Sequence, residues 1–122
     1  MVNIKDELLI EGLDDWIDAT WTYSEVRSYH PAAPDVLRQL SIGIIAELLS
    51  GGLMVAGDMV TQGEYGIFRA WDLSPGDSIV RITNAWVEES PYEKPDSYSI
   101  VWLENTDLGK ALGEAALASK SD

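Results

Sequence analysis

The chain has 122 residues and carries 21 acidic against 8 basic side chains, a formal net charge of −13. That length predicts a single domain over residues 1–122, and the charge argues against partners held through phosphates, whether nucleic acid or an anionic membrane surface. Apolar residues make up 46% of the sequence, too many for a chain kept unfolded by its charge, and the lack of cysteine excludes disulfides and thiolate chemistry.

The opening MVNIKDELLIEG lacks the basic start, long apolar run and cleavage site of a signal peptide. No apolar run approaches the ~20 residues of a membrane span, so the cytoplasm is the expected location. A first helix is predicted from Lys5 to Thr20. Leu9, Leu13, Trp16 and Ile17 fall on one side of it, and Glu7, Glu11, Asp14 and Asp18 on the other. Acids in its first turn suit the helix dipole, whereas Asp15 and Asp18 near its end oppose it. The segment WTYSEVRSYHPAAPD has to break by His30-Pro31. A second helix is predicted over Pro34–Ser50, with proline early in its first turn. Its apolar residues Val36, Leu37, Leu40, Ile44, Ile45, Leu48 and Leu49 cover most of the circumference, as in a central helix. Gly51-Gly52 supplies its left-handed stop.

Leu53–Val60 and Ile67–Trp71 read as strands of a hairpin around TQGEYG, with Gly57 marking a bulge. Ser74-Pro75-Gly76-Asp77 opens a third helix as cap, first helical residue and first-turn acid. Its face Ile79, Ile82, Trp86 and Val87 is apolar. Tyr98–Leu103 is apolar on both faces and reads as a strand covered on both sides. Asn105 or Thr106 then caps a last helix to about Ala118, with Leu108, Ala111, Leu112 and Ala115 facing inward. The order α-α-β-β-α-β-α predicts an α+β domain whose small, mostly antiparallel sheet is packed by helices.

Motifs for chemistry are sparse. His30 is the only histidine and stands next to a proline, with no cysteine partner. A zinc site needs several His or Cys ligands, and neither the EF-hand spacing nor a phosphate-binding glycine fingerprint occurs. No catalytic, cofactor or metal residue is therefore assigned. An active site could arise only from carboxylates that meet in three dimensions.

Three features point to a partner instead. The first is the stripe Glu7, Glu11, Asp14 and Asp18, in a stretch with no Lys or Arg between Lys5 and Arg27. Solvated helix faces usually mix signs to gain i,i+4 support. The second is the insert AWVEESPYEKPDSYSIVW, where Glu88, Glu89, Glu93 and Asp96 surround Tyr92 and Tyr98. Tyrosine gives contact area at low entropic cost, and proline limits the entropy lost on binding. The third is the tryptophan set. Trp16, Trp86 and Trp102 take inward positions, while Trp21 and Trp71 are candidates for the surface.

The stretch SIVWLENTDLGKALGEA, Ser99–Ala115, resembles the last strand and following helix of winged-helix proteins, with Leu103, Thr106 and Gly109 at the matching positions. A DNA-reading role carried over from that fold would need basic residues, and the second and third helices hold only Arg38 and Arg81. In size, charge and lack of cysteine the whole chain is similar to the immunity proteins that bacteria make against secreted toxins. That resemblance implies a cytoplasmic inhibitor covering the active site of a basic toxin domain, often a nuclease. The expected function is thus non-enzymatic binding of a basic protein partner, with no cofactor. The alternatives are a winged-helix-like regulator or scaffold, a DNA mimic, and a carboxylate-based enzyme.

Overall fold

The computed structural model describes residues 3–63, 65–89 and 100–120, without the side chains of Gln62, Glu88 and Glu89. Its elements are α1 (Ile4–Glu11), β1 (Ile17–Asp18), α2 (Ala19–Tyr29), α3 (Pro34–Ser50), β2 (Met54–Gln62), β3 (Tyr65–Ala70), α4 (Pro75–Glu89), β4 (Trp102–Asn105) and α5 (Asp107–Lys120). The class is α+β, and the order α-α-β-β-α-β-α holds once the first predicted helix is divided into α1, β1 and α2. One antiparallel sheet runs β1-β4-β2-β3. Among the described residues, no helix is long and apolar enough to cross a membrane.

The main correction concerns the predicted helix Lys5–Thr20. It stops at Glu11 and gives way to a turn, a two-residue strand and the start of α2. Gly12 is the reason. A Cβ there would lie 2.5 Å from Asn105 Oδ1, so the chain passes close under β4 as glycine and then tightens through Leu13 N–H to Ile10 O at 3.1 Å. Ile17 then pairs with Leu103 and is buried. The misplaced acid finds its place. Asp18 is the N-cap of α2 and accepts from Trp21 N at 2.7 Å, at the helix end where negative charge is favourable.

The stop of α3 follows its glycines. Leu53 N donates to Leu48 O at 2.9 Å and Gly52 N to Leu49 O at 3.1 Å, with Gly52 left-handed at φ 71°. This is a Schellman ending. In α4, Ser74 Oγ accepts from Asp77 N at 3.1 Å, the cap expected from the sequence.

Burial alternates along β1, β4 and the start of β2, whereas β3 is largely exposed on both faces. Ile17, Leu103, Asn105, Met54 and Ala56 share the buried face by register. The opposite face carries Asp18, Trp102, Glu104, Val55 and Phe68, none of them fully buried. The expected strand Tyr98–Leu103 is displaced: β4 runs Trp102–Asn105 and is buried on one face only, while Ile100 and Val101, just before it, are both buried. Gly57 forms no bulge. It pairs regularly with Ala70 and Trp102, and its missing Cβ makes room for the Phe68 ring and the Arg69 carbonyl.

The last helix also packs differently from its pattern. Leu108 and Leu112 are exposed, as are Ala111 and Ala115, while Gly109 and Gly113 are buried. A Cβ on Gly109 would collide with the Leu53 carbonyl, and one on Gly113 would lie 2.8 Å from Leu9 O. Backbone contact through glycine, which leucine at the same place would prevent, sets this face.

Two glycines separate close packing from helix propensity. Gly109→Ala should lower unfolding free energy by about 1–3 kcal/mol through overpacking. Gly43→Ala, with nothing within 4 Å of the added carbon, should raise it by up to about 1 kcal/mol, as an alanine inside α3. Denaturant unfolding of both variants checks the opposite signs.

Candidate functional site

The turn after α1, the start of α2 and the open face of β4 enclose a concavity of about 440 Å³. Glu11, Asp15, Trp16, Asp18, Trp21 and Trp102 form its main walls. Local geometry explains each one. Glu11 ends α1, and Asp15 is held in the turn by accepting from Trp16 N at 2.8 Å. Asp18 is fixed by its capping bond and by its pairing opposite Trp102. Capping also sets the first turn of α2, which carries Trp21. Trp16 and Trp21 are 37% and 39% exposed, large apolar surfaces left in water beside carboxylates. Among the described residues, no lysine or arginine lines this concavity.

A second acidic grouping lies alongside it, where α1, α2 and α5 meet. Glu7 pairs with Lys120, and Glu25 of α2 faces the same charges. Burial, and then the like charges of Glu7 and Glu11, hold the Glu25 carboxyl above its ordinary range, with Lys120 opposing. The hydrogen bond to Glu7 holds the Lys120 ammonium above its own.

The sequence-derived acidic stripe is thus divided. Glu7 and Glu11 remain on α1, but Asp14 lies in the turn, beside an adjoining hollow that shares Asp15 and Trp16 with the concavity and is also lined by Glu104, Asn105 and Lys110. Asp18 returns to the Glu11 concavity from the next helix. One straight helix cannot carry all four, because α1 is only eight residues long. Glu88 and Glu89 close α4, with side chains outside the description. Tyr92, Glu93, Asp96 and Tyr98 lie outside the described residues.

The tryptophans are redistributed. Trp86 is fully buried, as expected, and stands 6.4 Å from the Tyr23 ring. Trp71 is buried rather than superficial, with the Arg81 guanidinium 4.0 Å from its ring. Trp16 is exposed rather than inward, because the helical wheel that placed it ends five residues earlier. Trp102 is half-buried on the open sheet face. Trp21 is exposed, as the sequence suggested. Asp15, Trp16 and Glu25 were not singled out for binding. The signal that would have found the first two is Gly12 read as a stop, followed by Asp18 read as a cap.

A further cleft of about 250 Å³ lies at Trp71, with apolar walls from Leu49, Met54, Ala56 and Leu73 and one carboxylate, Asp72. Among the described residues, no three of His, Asp and Glu converge as metal ligands would. No family model, curated protein or solved structure matches this chain.

The raised Glu25 carboxyl gives a pH signature. A proton on Glu25 favours the folded state, so its contribution is complete below the ordinary glutamate range and is lost as pH rises through the elevated folded value. Glu25→Gln should accordingly melt higher than the parent at neutral pH. The gap should close as pH falls below the ordinary glutamate range. Melting curves across pH read the difference, and a constant gap would mean that the Glu25 charge is not its source.

Proposed function

We propose that the protein is a non-enzymatic binding protein for a basic protein surface, most concretely a cytoplasmic immunity-type inhibitor that covers a basic toxin domain such as a nuclease. One observation carries the reading. Exposed indoles and carboxylates share one concave surface, and among the described residues no base lines it. Charge of one sign over a large fraction of a small protein accelerates encounter with an oppositely charged partner. Buried aromatic area then sets how long the complex lives.

The distribution of bases supports the same reading. Lys5 lies 3.2 Å from Glu47, Arg81 lies 3.6 Å from Asp58, and Lys120 pairs with Glu7. The Lys5 and Arg81 pairs are exposed and contribute at most about 1 kcal/mol each to stability. The partners of Lys5, Arg81 and Lys120 lie outside the lining of the Trp16–Trp21 concavity, while Lys110 lines the adjoining hollow that shares Asp15 and Trp16. The insert 88–96 is the second candidate contact, through Glu88, Glu89, Glu93 and Asp96.

The test uses a panel of purified basic nuclease toxin domains. The expected result is stoichiometric inhibition of one of them, with an association rate that falls at least about tenfold from low to high salt. An association rate indifferent to salt would remove the electrostatic argument. Glu11→Lys with Asp15→Lys should slow association more than Glu88→Lys with Glu89→Lys and Glu93→Lys, if the concavity is the main contact. Random duplex DNA should migrate unshifted at low salt, and a clear shift would overturn the reading in favour of a regulator.

A further inference from the structure

We infer that the concavity between Glu11 and Trp21 receives one arginine side chain of the partner. This rests on the protein-binding reading and specifies its central contact. A guanidinium is flat and weakly hydrated, so it stacks on indole faces while its edge donates to carboxylates. The concavity presents both chemistries at once. Trp16 and Trp21 offer indole surface, 37% and 39% exposed, and Glu11 and Asp15 are exposed carboxylates on the same walls. At about 440 Å³ the space takes a planar head group together with its methylene stem.

The fold already contains the same arrangement, occupied by a residue of its own. The Arg81 guanidinium lies 4.0 Å from the Trp71 ring and 3.6 Å from an Asp58 oxygen. Indole, guanidinium and carboxylate are in contact there. At Trp16 and Trp21 the indoles and carboxylates are present and the described lining of the concavity supplies no cation, Lys110 standing in the adjoining hollow that shares Asp15 and Trp16 but not Trp21. Lysine fits less well. Its ammonium is a compact, strongly hydrated point charge that gives up more hydration and cannot stack. Asp15 and Asp18 each accept a backbone N–H through Oδ1, so the donor edge of the guanidinium falls first to Glu11, with the charge of both aspartates beside it.

Titration with argininamide, followed by NMR of the five indole N–H signals, tests the inference. Saturable shifts are expected at Trp16 and Trp21 and none at Trp86, which also reports that the fold is intact. Lysinamide at matched ionic strength should bind several-fold more weakly. Trp21→Ala and Glu11→Gln should each weaken argininamide binding by about fivefold, the ratio for one cation–π or charged contact of ordinary strength. Shifts confined to other indoles, equal binding of lysinamide, or indifference to both substitutions would overturn the arginine receptor. If a basic toxin domain is inhibited equally by parent and Trp21→Ala, the receptor fails while the protein-binding reading stands. If argininamide binds as described and no toxin domain is inhibited, the receptor stands and the immunity reading fails.

Discussion

Two adjacent residues at the end of β4 hold the separate parts of this fold in one arrangement. Asn105 Nδ2 donates to Leu9 O at 3.0 Å, tying the central strand to α1 across 96 residues of sequence. Thr106 Oγ1 donates to Gly52 O at 2.6 Å, and its backbone N–H donates to Leu53 O at 3.0 Å. The same hydroxyl accepts from Gly109 N at 3.0 Å, which caps α5. The junction therefore links α1, the Schellman ending of α3, the entry to β2, and α5. A buried polar group that loses its partner costs about 1–3 kcal/mol. Replacement of either residue by an apolar one would strand backbone carbonyls belonging to other elements. Leu103, Thr106 and Gly109, the positions that resemble a winged-helix strand-to-helix turn, have direct structural roles here. Leu103 fills the core, Thr106 makes the bonds, and Gly109 allows α5 to touch the Leu53 carbonyl.

The same junction positions the candidate site. Asn105 is seated against Gly12 where α1 ends, and the chain then turns toward the sheet edge. Ile17 enters the core beside Leu103, and the residues on either side of it, Trp16 and Asp18, are directed outward. The concavity is thus a by-product of how the sheet begins. Its carboxylates come from the end of one helix, a turn and the cap of the next. Leu108 and Leu112 of α5 are exposed for a related reason, since the helix approaches its neighbour through glycine and turns its leucines to the outside.

Much of this was legible in the sequence where local chemistry is decisive. Pro34 and Gly51-Gly52 bounded α3, Ser74-Pro75 opened α4, and the hairpin followed from two apolar runs around a glycine turn. Class and element order came out of those signals. The failures share one cause. Helical periodicity between Lys5 and Thr20 is real as a pattern, but Gly12 and the close approach of Asn105 interrupt it, and a contact across 93 positions leaves no local trace. The wheel then assigned Trp16 inward and gathered Asp14 with Glu11. On α5 the apolar pattern pointed to the wrong face because backbone-to-backbone packing through Gly109 and Gly113 replaced side-chain burial. Aromatic burial followed the same rule: Trp71, which ends the β3 hairpin, is fixed by its backbone bond to Ala56 O at 3.0 Å, a long-range pairing that residue type does not reveal.

The first strand of the sheet is held by only two residue pairs, Ile17 with Leu103 and Asp18 with Trp102, whereas β2 and β3 share six. Opening free energies within one protein run from near zero to the global value, according to how much each segment buries and bonds. Each amide from Gly12 to Trp16 donates to an acceptor no more than four residues back, whereas the β2–β4 ladder joins distant parts of the chain. The wall that bears Trp16 and Asp15 is thus secured by short-range bonds and the two pairs of β1, while the ladder behind it draws on the whole fold.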